Sequence, residues 1–113
     1  ILSWSPQSKQ LMVRFVLRSK ESLDRIRQGL KDLTDFAVVS VNIQPTPHAL
    51  LEGDEEITLT EQNAITHHTG VVQLAFSPQS FMQTNLKIAD SLYRTATEWL
   101  TPWRGERALD LFC

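Results

Sequence analysis

Two stretches of two-residue apolar alternation enclose one stretch of helical spacing, and this switch of period limits the possible folds more than any other feature of the chain. In the first stretch, Gln10–Arg18, residues Leu11, Val13, Phe15 and Leu17 share one face of a strand. Met12, Arg14, Val16 and Arg18 take the other face, which is half polar and expected to be partly exposed. In the last stretch, Ala37, Val39, Val41 and Ile43 alternate with Val38, Ser40, Asn42 and Gln44, and Pro45 and Pro47 end the strand. Between them Leu23, Ile26, Leu30 and Leu33 recur at three- and four-residue steps, which predicts a helix over Lys20–Asp35 with Ser19 as its N-cap. Gly29 weakens that helix. The three segments together predict a β-α-β unit.

The remaining segments add strands and one more helix. Ile1–Trp4 is predicted to pair with Gln10–Arg18 across the polar loop Ser5-Pro6-Gln7-Ser8-Lys9. His48–Glu52 and Glu55–Thr60 flank Gly53-Asp54, predicting a hairpin in which Gly53 supplies the positive φ of a tight turn. After a polar connection, Val72, Leu74 and Phe76 alternate as a strand that Pro78 stops. Leu86, Ala89, Leu92 with Tyr93, Ala96 and Trp99 form a helical stripe ending near Leu100, with Thr84 or Asn85 as N-cap and Pro102 beyond the end. Ala108–Cys113 reads as the start of an apolar strand. The predicted class is α+β, a mostly antiparallel sheet with two main helices on one face. No repeat, low-complexity tract or Gly/Ser linker divides the chain.

At 113 residues the chain is about one domain long. No apolar run approaches the roughly 18 residues of a membrane span. A single cysteine, Cys113, leaves no internal disulfide framework and fits a reducing cytoplasm. Residues 1–35 hold seven Lys/Arg against four Asp/Glu, whereas residues 36–75 hold none against five. A basic first third (Lys9, Arg14, Arg18, Lys20, Arg25, Arg27, Lys31) can face phosphate, but a net charge of -2 argues against a free-standing nucleic-acid binder, and a solvated charged face is the plainer reading.

Few residues point to chemistry. His48, His67 and His68 have no Cys or acidic partner at ligand spacing, and His67 and His68 would project to opposite sides of a strand. A lone thiol such as Cys113 is more often a small buried residue than a nucleophile. The four glycines are scattered, so no phosphate loop exists. The segment Ser77–Asn85 differs, because it sets an aromatic and two amides between a strand and a helix start, where sites tend to sit. Phe81 offers a flat face to a base, and Gln83 offers both a donor and an acceptor to a polar ligand. The alternative is structural, with Phe81 in the core and Asn85 capping the helix.

Ser80-Phe81-Met82-Gln83-Thr84-Asn85 resembles the S-F-F-Q-[TV]-N motif of the TrmA/RumA-type RNA uracil-C5 methyltransferases, and Leu109-Asp110-Leu111-Phe112-Cys113 resembles the D-L-[FY]-C that opens their catalytic domain. Leu11–Ser19 (LMVRFVLRS), Val41-Asn42-Ile43-Gln44-Pro45 and Leu59-Thr60-Glu61-Gln62 are similar to the branch of that family acting on 23S ribosomal RNA. Met82 replaces a common second Phe, a soft apolar exchange. The resemblance covers essentially the whole chain. It implies methyl transfer from S-adenosylmethionine to C5 of a uridine: a thiolate adds to C6, C5 attacks the methyl group, and a base removes the C5 proton. By position it implies that Gln83 contacts S-adenosylmethionine, that Phe81 lines the site of cofactor and target base with Asn85 on the substrate side, and that Asp110 begins the cofactor motif.

The resemblance further implies that residues 1–107 are a central domain and that residues 108–113 begin a Rossmann-like, S-adenosylmethionine-binding domain. The family's nucleophile, base and iron–sulfur cysteines match nothing in these 113 residues, and Ile1-Leu2-Ser3-Trp4 lacks a starting Met. The expectation is therefore a middle piece of a cytoplasmic enzyme, inactive alone. Two other classes stand beside it: a small RNA-binding module using the basic first third, and a protein-interaction module using an open sheet edge.

Overall fold

The computed structural model of the chain describes residues 1–32, 34–46, 51–70 and 72–100, together with Arg107, Leu109 and Leu111. It has two compact units, Ile1–Met82 and Gln83–Cys113.

The first unit is built on a four-stranded sheet. β1 (Leu2–Ser5) and β2 (Gln10–Leu17) form the expected hairpin, antiparallel with Leu2 opposite Val13 and Ser5 opposite Gln10. β3 (Val38–Ile43) lies parallel to β2, Met12 opposite Val38 and Leu17 opposite Ile43. β4 (Glu55–Thr58) closes the sheet antiparallel to β3, giving the order β1-β2-β3-β4. The β2–β3 crossover is the predicted β-α-β unit, but its helix is short. α1 (Leu23–Gly29) is flanked by 3-10 turns at Lys20–Ser22 and Leu30–Asp32, so the regular α-helical part ends at Gly29, the residue least able to carry it further. Ser19 accepts from the Glu21 N–H at 3.5 Å, as its capping position requires.

Directly opposite residues share a sheet face, so the register assigns the core. One face presents Phe15, Leu17, Val41, Ile43 and Ile57 to Leu23, Ile26 and Leu59. The opposite face presents Met12 and Val38 to Ile65 and Phe76. These last two residues belong to a hairpin of β5 (Ile65–Thr69) and β6 (Val72–Phe76), turned by Gly70 at φ +54°. β5 replaces the predicted polar connection. Its Thr and His side chains read as loop, yet Ile65 and His67 are buried and His68 is exposed, so the two histidines do project to opposite sides. The outer edge of β5 is satisfied by side chains: Ser5 Oγ and Ser8 Oγ each donate to the Thr66 carbonyl at 2.6 Å, and Gln10 Oε1 accepts from the Thr66 N–H at 2.7 Å. The hairpin is thereby tied to the β1–β2 turn.

Two expectations are corrected. Glu55–Thr58 pairs with β3, and Leu51 and Glu52 are not strand, so among the described residues no hairpin forms around Gly53; His48–Leu50 lie outside them. Gly53 does not adopt a positive φ. It is needed because a Cβ there would stand 1.8 Å from the Ile43 carbonyl oxygen, a backbone atom that cannot move aside.

In the second unit, α2 (Leu86–Leu100) has the predicted span. Asn85 Oδ1 accepts from the Ile88 N–H at 3.1 Å and the Asn85 carbonyl accepts from Ala89 at 2.9 Å, which makes Asn85 the N-cap. The small α+β fold, with two helices and mixed sheets, agrees with the expected class. Ala108, Asp110, Phe112 and Cys113, four of the six residues of the predicted final strand, lie outside the described residues.

Candidate functional site

The segment that follows β6 is organised by its own serines. Ser77 and Ser80 close a turn over Pro78 and Gln79: the Ser80 N–H donates to the Ser77 carbonyl at 3.0 Å, the Ser77 N–H donates to Ser80 Oγ at 3.1 Å, and the two hydroxyls are 3.0 Å apart. The turn delivers Phe81 to the surface of the first unit, 82% exposed. Among the described residues Phe81 is therefore not packed into the core. A phenyl ring left in water forgoes burial worth about 1.5–3 kcal/mol.

In the second unit, Gln83 is exposed and Asn85 caps α2. Capping occupies Asn85 Oδ1 and leaves its amide NH₂ as a donor pair on an exposed side chain. Phe81, Gln83 and Asn85 thus fall at alternate positions of one short segment, all exposed. Asp110, the fourth expected site residue, is outside the described residues.

A second polar cluster was not singled out by the sequence reading. Arg14, expected on a partly exposed face and counted among phosphate-facing cations, is 3% exposed. Its Nε donates to Glu56 Oε1 and Oε2 at 3.1 and 3.0 Å, and Nη1 meets Glu52 at 2.8 Å. Asn42, fully buried in β3, donates to the Gly53 carbonyl (2.9 Å), the Glu55 carbonyl (3.2 Å) and Glu56 Oε2 (3.0 Å), and accepts from the Gly53 N–H at 2.7 Å. Gln44 donates to the Glu52 carbonyl at 3.0 Å. Burial alone would push the Glu56 carboxyl up, but hydrogen bonds from Arg14 and Asn42, with the Arg14 charge, outweigh it and hold the group below its ordinary value. Arg14 is pulled down by burial and raised above its ordinary value by the two glutamates. The cluster fastens the chain around Gly53 to the sheet. The available signals were an arginine and an asparagine inside apolar strands, since a charge or amide placed there must find partners.

These ion pairs also dissolve the charge asymmetry of the sequence. Arg14 is bound to Glu52 and Glu56, Lys20 to Glu55 at 2.5 Å, and Arg27 to Asp24 at 3.4 Å. Three of the five acids in residues 36–75 are therefore matched by cations from the first third. Among the described residues no group of three His, Cys, Asp or Glu can hold a metal ion, and no helix is long and apolar enough to cross a membrane.

No protein-family model matches the chain. Curated proteins do, and the class they define is the RNA uracil-C5 methyltransferases, to which this chain is similar along its whole length. The relatives are named 23S rRNA (uracil(747)-C(5))-methyltransferase RlmC: those of Yersinia enterocolitica and Cronobacter sakazakii are 44% identical and that of Proteus mirabilis 42% identical, each over 100% of this chain. The chain spans 31% of the length of the curated relatives it matches.

Proposed function

We propose that the chain is part of an S-adenosylmethionine-dependent enzyme that methylates C5 of a uridine in 23S ribosomal RNA. The observation that carries this reading is identity of 42–44%, from the first residue to the last, with proteins of that activity. The exposed Phe81 and Gln83 support it, since an aromatic face and an amide held at the surface are what stacking on a base and hydrogen bonding to a polar cofactor require.

On this reading Gln83 contacts S-adenosylmethionine, Phe81 lines the place shared by cofactor and target uracil, and Asn85 donates to the substrate through its NH₂ while its Oδ1 caps α2. Asp110 opens the cofactor motif, and residues 108–113 begin a Rossmann-like domain. C5 of uracil is a weak nucleophile until a thiolate adds at C6. That thiolate, the general base and the ligands of an iron–sulfur cluster are supplied by parts of the longer cytoplasmic enzyme other than these 113 residues.

The test is labelled methyl transfer from S-adenosylmethionine to unmodified 23S ribosomal RNA. The parent-length enzyme is expected to label uracil C5, and the 113-residue chain to transfer nothing. Transfer by the short chain overturns the reading of it as a dependent piece, and failure of the parent-length enzyme to label C5 overturns the function.

A further inference from the structure

The hairpin of β5 and β6 shares no strand with the four-stranded sheet, and its place against that sheet is set in two ways. Apolar packing is the first: Ile65 and Phe76 lie on Met12 and Val38, with Ala37 beside them. Such contact is non-directional and would let the hairpin slide along the sheet. Hydrogen bonding is the second, and it is directional. Ser5 and Gln10 oppose each other at the end of the β1–β2 hairpin, on the face that carries Met12 and Val38, and with Ser8 they take up both backbone groups of Thr66. Because Thr66 turns its N–H and carbonyl outward, its neighbours Ile65 and His67 make the ladder bonds to the residues opposite them, Phe76 and Leu74. A two-stranded hairpin is marginal by itself, so the bonds converging on Thr66 decide where β6 ends.

From there the chain has little slack. Phe76 is the last residue of β6, its ring 6.3 Å from that of His67, and Ser77 and Ser80 close the turn that follows with contacts of 3.0, 3.1 and 3.0 Å. Phe81 is the next residue. A shift of the hairpin along the sheet is therefore passed on to Phe81 rather than absorbed by a loose connection. We infer, on the proposed reading of Phe81 as a residue that meets the target base, that the clamp of Ser5, Ser8 and Gln10 on Thr66 sets the position of Phe81 for methyl transfer. The three are positioning residues, acting through β5, β6 and the serine turn.

The test is made in the parent-length enzyme with unmodified 23S ribosomal RNA. Gln10→Met keeps the length of the side chain and removes the acceptor, and the double variant Ser5→Ala with Ser8→Ala removes both donors. Each should lower kcat/KM for RNA roughly ten-fold, because misplacement by about 1 Å costs up to about a hundred-fold. Gln10→Glu retains an acceptor and should recover most of the activity. In a Phe81→Ala background, Gln10→Met should cost nothing further, whereas a general weakening of the fold would cost the same in either background. Ile26→Val, in the core on the opposite face of the sheet, should lower Tm and leave kcat/KM unmoved. Additive losses in the Phe81→Ala background overturn the inference, as does a Gln10→Glu enzyme no better than Gln10→Met. An unaltered parent that methylates nothing sinks the function instead, and hydrogen exchange at the Ser80 amide then decides the clamp: faster exchange in Gln10→Met upholds its hold on the turn, and unchanged exchange overturns it.

Discussion

Replacing Arg14 by Met puts the buried ion cluster to the test. The guanidinium is 3% exposed and holds Glu56, itself only 10% exposed, through both carboxylate oxygens. Removing one partner of a buried pair costs roughly 3–5 kcal/mol because the other charge is left uncompensated. Asn42 still donates to Glu56, and Glu52, half exposed, can return to water, so the expected loss lies near the lower end, about 3 kcal/mol. For a chain of this size that lowers Tm by roughly 10–20 °C. The double variant Arg14→Met with Glu56→Leu removes both charges, and should recover most of the loss, since apolar replacement of a buried pair is often neutral or stabilising. Urea unfolding of the two single variants and the double variant gives the coupling directly.

The same cluster has an acid signature. The Glu56 pKa is lowered by folding, so its stabilising contribution is complete above the unfolded carboxylate value and is lost as pH falls through the folded one. In Arg14→Met the group should instead gain stability on protonation. A single-variant loss below about 1 kcal/mol, or an unchanged acid limb of the stability profile, would refute the account.

Gly53→Ala should cost at least 2 kcal/mol in chemical denaturation, because the added Cβ meets the Ile43 carbonyl and one strand or the other must move. Gln83→Ala in the parent enzyme should weaken S-adenosylmethionine binding roughly five- to 150-fold, about 1–3 kcal/mol, with an unchanged melting curve, since the side chain is exposed; calorimetric titration reads the affinity. Phe81→Ala in the parent should lower kcat/KM for RNA by roughly 1–3 kcal/mol if the ring stacks on the target base, again with Tm unmoved because Phe81 contributes no core. A fallen Tm with intact kinetics would return either residue to a structural role.

What the sequence by itself determined is local or periodic. The alternation in β2 and β3, the stripe of α2, the cap Ser19 and the choice of Thr84 or Asn85 as the second cap depend on residues a few positions apart, so their spacing survives in the one-dimensional order. The segment Ser77–Asn85 stood out for the same reason, its chemistry being contiguous. Tertiary structure decided the rest. β5 was illegible because its edge is completed by Ser5, Ser8 and Gln10, side chains 56–61 residues away, which let Thr and His serve as strand. β4 chose β3 over its sequence neighbour, and Gly53 matters for a contact with Ile43 rather than for its own φ. Arg14 read as a surface cation until Glu52 and Glu56 were brought across the sheet to it. A buried charge is tolerated only where partners converge, and convergence over 42 residues of chain is a property of the folded state that no local pattern encodes.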